Sequence, residues 1–220
     1  MRKEITMKIY TLPVGLIQTN CYLVQNGQNE AALIDPGAQP DKILRYLEAQ
    51  GLTLKMILLT HGHFDHMGGV DGILKEYDVP VYIHPLDEEM TKTPSQNASM
   101  EFGGPGITCC TSRIYGEGDE MPFGEVIFRV IHTPGHTQGS VCLLAEDAGT
   151  DGVIFTGDTV FAGSVGRTDL YGGSYPQIAA SARRIAALPK NYRLLPGHGE
   201  ATTLDCERET NPYLASERDI

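Results

Sequence analysis

An α/β fold of packed layers is what this sequence predicts, on three observations. Apolar runs of strand length alternate with stretches of helical spacing between Ala31 and His84, the pattern of a sheet covered by helices. Metal-capable side chains stand directly after apolar strands at four places, each beside glycine or proline, where loops at one sheet edge converge. The length of 220 residues suits a single domain, read over 1–220, and a hydrophobic content of 41% lies well outside the disordered range.

Taken in order, Lys8–Leu12 and Cys21–Val24 read as an opening strand pair joined by a loop containing Pro13 and Gly15. Ala31–Ile34 is a strand stopped by the turn residues Asp35-Pro36-Gly37. Pro40 opens a helix with Ile43, Leu44 and Leu47 on one face and Gly51 as its stop. Met56–Thr60 is the next strand; Val70, Ile73, Leu74 and Tyr77 follow at helical spacing, and Val81–His84 is again a strand. From 87 to 120 the periodicity fades into Thr, Ser, Asn, Gly and Pro, which reads as a lid or insertion at about 90–120. Strands resume at Glu125–Ile131, Ser140–Leu144 and Gly152–Thr156. Ser174 is placed to cap a helix with Pro176 in its first turn and Ile178, Ala182 and Ile185 on its buried face. Tyr192–Leu195 is the last strand, and one short helix with a tail accounts for the remainder.

The stretch Thr60-His61-Gly62-His63-Phe64-Asp65-His66 organises the rest. It holds three of the seven histidines, with an aspartate among them. Imidazoles at i and i+2 cannot share a helix face, which needs i and i+3 or i+4, but they can converge in a loop. Imidazole and carboxylate together ligate zinc, manganese or iron. Three later stretches repeat the placement: His136 in Thr133–Thr137, Asp158 in Thr156–Thr159, and His198 in Pro196–Gly199.

Composition narrows the partners. Acidic residues outnumber basic ones 28 to 17, a net charge of −11, and no Lys/Arg run forms a phosphate-binding stripe, which disfavours nucleic acid. Met1–Met7 lacks the apolar core of a signal peptide and no run approaches membrane-spanning length, so a cytoplasmic protein with no membrane partner is expected. The five cysteines are odd in number and irregular in spacing, and read as reduced thiols.

In chain order, the Thr-His-x-His-x-Asp-His string, His136, Gly157-Asp158 and Pro196-Gly197-His198-Gly199 resemble the motifs of the metallo-β-lactamase-fold hydrolases. More narrowly, Asn20-Cys21-Tyr22, Asp35-Pro36-Gly37 and Gly166-Arg167-Thr168-Asp169 look like those of the small glyoxalase II-like (hydroxyacylglutathione hydrolase-like) proteins, a likeness spanning residues 7–212. The resemblance implies a four-layer αββα sandwich. It also implies two divalent metal ions, zinc with iron or manganese as alternatives. His61, His63 and His136 would hold the first ion, Asp65, His66 and His198 the second, with Asp158 bridging both. Such a pair can share a hydroxide and lower its pKa to about 7.

The implied activity is cleavage of a thioester of the acyl-glutathione type, the substrate being a small, anionic thioester and the protein a monomer or homodimer. Asp65, besides binding metal, would orient the attacking hydroxide and take its proton. Arg167 either holds a substrate carboxylate or pairs locally with Asp169. Full-length glyoxalase II enzymes have an aromatic cluster where Thr168 and Asp169 stand here and a C-terminal helical region beyond the last histidine, so a different thioester is open. The chief competing activity in this fold is that of the persulfide dioxygenases, with one iron on His61, His136 and Asp158; lactonase or phosphodiester hydrolysis comes third. Around the ligands, His132 reads as a buried or supporting residue, His84 as a surface or hydrogen-bonding histidine, Cys21 as a core thiol, and Cys109 and Cys110 as incidental loop residues. Asp35 reads equally as a turn residue or as an orienter of a ligand. Replacing His61 or Asp158 with alanine should abolish metal occupancy and turnover together; elemental analysis beside the assay checks this, and normal activity in either variant would refute the ligand set.

Overall fold

Backbone structure follows the apolar runs. The computed structural model describes residues 7–102, 106–147 and 152–214. The first half contains β1 (Lys8–Val14), β2 (Thr19–Gln25), β3 (Glu30–Ile34), α1 (Pro40–Ala49), β4 (Thr53–Leu58), α2 (Phe64–Met67), α3 (Val70–Ile73), β5 (Val81–Ile83), α4 (Pro85–Lys92) and β6 (Arg113–Ile114). The second contains β7 (Glu120–Phe123), β8 (Val126–His132), β9 (Val141–Asp147), β10 (Val153–Gly157), β11 (Val160–Phe161), β12 (Ser164–Val165), α5 (Tyr175–Ala186), β13 (Arg193–Pro196), β14 (Thr202–Thr203) and α6 (Leu204–Thr210).

Among the described residues the strands form two six-stranded sheets, ordered β1-β2-β3-β4-β5-β6 and β14-β13-β10-β9-β8-β7, with β11 and β12 paired apart. Both sheets are mixed: β3, β4, β5 and β6 run parallel, as do β10 and β13, and the remaining pairs are antiparallel. Their facing surfaces share one apolar layer, Tyr22, Val24, Ile34 and Leu58 from the first sheet meeting Phe123, Phe128, Val130, Leu143 and Phe155 from the second. The outer face of the first sheet packs on Ile43 and Leu47 of α1 and on Val70 and Ile73 of α3. The outer face of the second packs on Ala182 and Ile185 of α5 and on Leu204 of α6. Helix, sheet, sheet, helix is the four-layer αββα order. No helix among the described residues is long and apolar enough to cross a membrane.

The departures from the sequence reading have local causes. Pro13 lies inside β1 and not in a loop; β1 is an edge strand, so the missing N–H costs no ladder bond on the solvent side. Ser174 holds the N-cap of α5 but makes no side-chain cap; Pro176 removes one of the two N–H groups such a cap would use. The helix after the histidine string is two short ones, and the first begins at Phe64, so Asp65 and His66 are helical.

The expected lid is partly built structure. α4 opens it with Pro85 in its first turn, β6 joins the first sheet, and the backbone between is fastened by polar side chains. Asn97 is buried; its Nδ2 donates to the carbonyls of Met90 (3.1 Å) and Ile107 (2.8 Å), and its own carbonyl accepts the Phe64 N–H at 3.0 Å. Order made by side chain-to-backbone bonds has no apolar periodicity to announce it. Residues 103–105 of this segment, the start of the chain and the tail after Leu214 lie outside the described residues. Phe128, fully buried between the sheets, should cost about 3–5 kcal/mol when cut to alanine; a fall in the urea midpoint at unchanged m-value checks it.

Candidate metal centre

Each ligand candidate sits where a strand ends. β4 delivers Thr60 and then the extended segment 61–63, on which His61 and His63 project two residues apart. At His63 (φ −72°, ψ 147°) the backbone turns into α2, whose first turn swings Asp65 and His66 to the other side of the same centre. β8 leads to His136, β10 to Asp158, and β13 to His198. Gly197 makes the last approach possible: a Cβ there would lie 2.2 Å from Asp158 Oδ1. A Cβ at Gly37 would lie 1.5 Å from the Asp65 carbonyl oxygen, so the Asp35-Pro36-Gly37 turn can pass under α2 only as glycine.

The seven predicted side chains come together. His61 with His63 and His136, His61 with His66 and Asp158, and Asp65 with His66 and His198 each place three ligand atoms within 4.8 Å of one another. His63 Nδ1 lies 3.0 Å from His61 Nε2 and 2.9 Å from His136 Nε2. Asp158 reaches both groups, Oδ2 at 3.4 Å from His136 Nε2 and Oδ1 at 3.4 Å from His66 Nε2. His198 Nε2 lies 3.2 Å from Asp65 Oδ2 and 3.7 Å from Asp158 Oδ2. Five of the seven are buried, while Asp65 and His198 keep side-chain exposures of 12% and 28%, so the centre opens on their side.

A surrounding set of bonds decides which nitrogen faces inward. His136 Nδ1 donates to the Arg167 carbonyl at 2.8 Å, leaving Nε2 as a lone pair toward the centre. Thr60 gives its hydroxyl proton to Asp35 at 2.7 Å and so accepts from His61 Nδ1 at 3.1 Å, turning the His61 Nε2 lone pair inward too. Asp35 also takes His66 Nδ1 at 2.9 Å and the Thr60 N–H at 2.8 Å, which settles its role as an orienter. His198 Nδ1 bonds the Ile17 carbonyl at 3.2 Å, and the Thr19 hydroxyl bonds Asp65 Oδ2 at 2.8 Å. The Asn20-Cys21-Tyr22 string acquires a reason: Asn20 Nδ2 holds the Pro196 and Gly199 carbonyls at 3.0 Å each and the Tyr22 hydroxyl also reaches Pro196, at 2.6 Å, clamping the His198 loop while Cys21 faces the core.

These residues fit metal ions. Two inward lone pairs, on His61 Nε2 and His136 Nε2, converge on His63 Nδ1, and His63 Nε2, His66 Nε2 and Asp158 Oδ1 are buried without a hydrogen-bond partner. Burial, reinforced by neighbouring imidazoles, holds His61 far below the ordinary histidine range and His63 at about 3, so both are neutral, the form that binds metal. Burial opposes charge at His66 too, yet Asp65, Asp158 and Asp35 outweigh it and favour positive charge there. Burial likewise opposes ionisation of Asp158, but His66, His136 and His198 bring its carboxyl down to about 2. Anionic oxygens and neutral imidazoles around one buried point are a donor set for divalent cations.

One supporting residue gave no sequence signal. Asp87, fully buried on α4, accepts the Gly62 N–H at 3.0 Å, the Thr137 hydroxyl at 2.6 Å and the Gly139 N–H at 2.7 Å. It therefore ties the loop carrying His61 and His63 to the loop carrying His136, across the two sheets. His84 is buried, not on the surface: it caps α4 through Leu86 N–H (3.3 Å) and stacks on His132 at 4.2 Å between centroids. His132, half-buried, bonds the Gln138 carbonyl at 2.9 Å and touches no ligand. Cys109 is not an incidental loop residue: it is buried with Sγ 3.5 Å from Met67 Sδ, behind α2, whereas Cys110 is exposed. Arg167 makes the local pair, Nε and an Nη donating to the two Asp169 oxygens at 2.7 and 2.8 Å.

Residues 14–198 match the Metallo-beta-lactamase superfamily. The chain belongs to that superfamily. Among its relatives, hydroxyacylglutathione hydrolase GloC of Haemophilus influenzae is 32% identical over 213 residues, 96% of this chain and 99% of that protein. In three dimensions the fold superposes on the crystal structure of BLEG-1 B3 metallo-beta-lactamase with a TM-score of 0.88 at 36% identity, covering 95% of this chain and all of that one (100%). It superposes on TTHA1623 in a di-iron-bound form with a TM-score of 0.81 at 39% identity, covering 93% and 100%. The protein is thus a metal-dependent hydrolase of this superfamily, built on a fold that binds divalent metals.

Asp87→Ala should weaken metal retention about 10–100-fold. Equilibrium dialysis against a competing chelator measures it, with far-ultraviolet circular dichroism verifying that the variant is folded; wild-type retention would show that the tie between the two loops is dispensable.

Proposed function

We propose that the protein hydrolyses a thioester of the acyl-glutathione class, releasing a carboxylate and a free thiol. The observation that carries this is the make-up of the cavity above the centre. Its titratable lining residues are His63, Asp65, His136, Asp158, Arg167 and His198, and all except the ion-paired Arg167 belong to the ligand groups. Among the described residues no spare side chain of the lining stands ready to protonate a leaving group. A thiolate needs little help of that kind, since a free thiol has a pKa of about 8.5, whereas an amine or alkoxide does. The kinship with a hydroxyacylglutathione hydrolase over almost the whole chain supports the same reading.

His61, His63 and His136 would hold one ion, Asp65, His66 and His198 a second, and Asp158 would join them. We assign zinc to both, with iron or manganese the alternatives. Bound there, such ions supply an activated water and polarise a carbonyl oxygen. Asp65, on the open side and fixed by the Thr19 hydroxyl, is placed to orient the attacking water and take its proton on the carboxylate. His198, anchored by the Ile17 carbonyl, borders the opening through which substrate enters. Thr60 and the Arg167 carbonyl turn the lone pairs of His61 and His136 inward, and Asp35 orients His66. The five free thiols fit a reducing compartment, and we place the protein in the cytoplasm.

The test is metal content followed by turnover on one anaerobically purified sample. About two ions per chain with thiol release from S-lactoylglutathione is the expected result. A single iron per chain, with oxygen uptake on glutathione persulfide and no thiol release, would overturn the hydrolase reading in favour of the dioxygenase chemistry of this fold.

A further inference from the structure

We propose that the outer half of the cavity is a subsite for an apolar acyl arm, so that the preferred thioester carries an aryl or bulky alkyl group on its carbonyl side. This rests on the thioester reading above and names the substrate within it. The cavity, about 290 Å³, has the ligand residues as its floor and a wall of Ile17, Phe64, Phe102, Phe161 and Leu170. Phe102 stands beside Phe64 at 5.5 Å between ring centroids, and Phe161 meets the His198 ring edge-on at 6.2 Å, so two aromatic surfaces line the way to the centre. Phe102 and Ile17 are 55% and 42% exposed, large apolar side chains left in solvent directly over a buried polar centre. Apolar walls converging on a few fixed polar groups are the make-up of a ligand site, the walls gripping the substrate body while the polar groups act on the reacting bond.

Charge points the same way. Among the described residues Arg167 is the one Arg or Lys of the lining, and both oxygens of Asp169 already engage its guanidinium at 2.7 and 2.8 Å. A substrate carboxylate would have to displace Asp169 before gaining that contact, and it would find no second cation in the wall. An apolar arm has no such competitor. It removes its own surface and that of Phe102 and Ile17 from water, a gain that scales with the area covered. Continuity with the ligand groups argues for the occupant: Phe102 and Leu170 line the same cavity of about 290 Å³ as Asp65 and Asp158, so one small molecule can span both.

The experiment compares S-phenylacetyl, S-acetyl and S-succinyl thioesters of N-acetylcysteamine on the metal-loaded protein, so that only the acyl arm changes. Phenylacetyl should exceed acetyl in kcat/KM by about tenfold or more, mainly through KM. Phe102→Ala and Leu170→Ala should each shrink that ratio to within about threefold. A wild-type ratio near one, a preference for succinyl, or a ratio unmoved by both variants would overturn the subsite. If none of the three is cleaved, it is the thioester reading that fails, and the subsite is then judged by calorimetry without turnover. Phenylacetate should bind the metal-loaded protein about tenfold more tightly than acetate, and equal affinities would refute it.

Discussion

Three imidazole nitrogens stand a hydrogen-bond length apart, two of them with lone pairs turned inward, and the architecture of this protein is arranged to hold them so. His63 Nδ1 stands 3.0 Å from His61 Nε2 and 2.9 Å from His136 Nε2, and the outer nitrogens of the latter two are committed to Thr60 and to the Arg167 carbonyl. Unsupported side chains would rotate away from such an arrangement. Here the outer contacts hold them, those of His61 and His66 fully buried and that of His136 partly so. Asp35 makes three of those contacts, binding the Thr60 N–H, the Thr60 hydroxyl and His66 Nδ1. That residue adopts a left-handed backbone (φ 51°) to do so, a conformation that Asp tolerates better than most side chains.

The layers serve this centre. Two sheets packed face to face bring the ends of β4, β8, β10 and β13 to one edge, and no single element could supply both an imidazole pair and a carboxylate that reaches both groups from that range of directions. The connection between sheets is made at two levels. Apolar packing of Phe128 and Phe155 against Tyr22 and Leu58 sets the spacing, while Asp87 and Asn20 fix the loops on top of it. A buried carboxylate such as Asp87 is costly without partners, and its burial raises its pKa even with three donors in place. Such a group is best accounted for by the relative position of the two loops it joins.

The open side has a different character. The ligand candidates are buried on the far side and partly exposed at Asp65 and His198, where the wall changes from imidazole and carboxylate to Phe, Ile and Leu. Chemistry and selection are therefore separated in space. The floor is common to a metal-dependent hydrolase of this superfamily; the wall is assembled from the β1–β2 hairpin, the segment after α4, and the loops after β10 and around Arg167.

The sequence by itself marked the seven ligand candidates and the strands that present them, because metal chemistry demands particular residue types and those strands are short apolar runs ended by glycine or proline. It determined the inner and outer faces of α1 and α5 for the same reason of periodicity. It was silent on Asp87, whose three partners lie 25 to 52 residues along the chain, and on Asn97, whose partners are backbone atoms. It offered His84 as a surface or a hydrogen-bonding residue, and the structure shows the second, buried and stacked on His132, which nothing local announces. It left Arg167 open between a substrate and Asp169, because two residues of separation permit a pair without requiring one; the loop conformation made the pair. Residue type and local spacing carry what each side chain can do. Only tertiary packing decides which groups from distant strands meet, which polar atoms are cut off from water, and so which of those capacities are fixed in place.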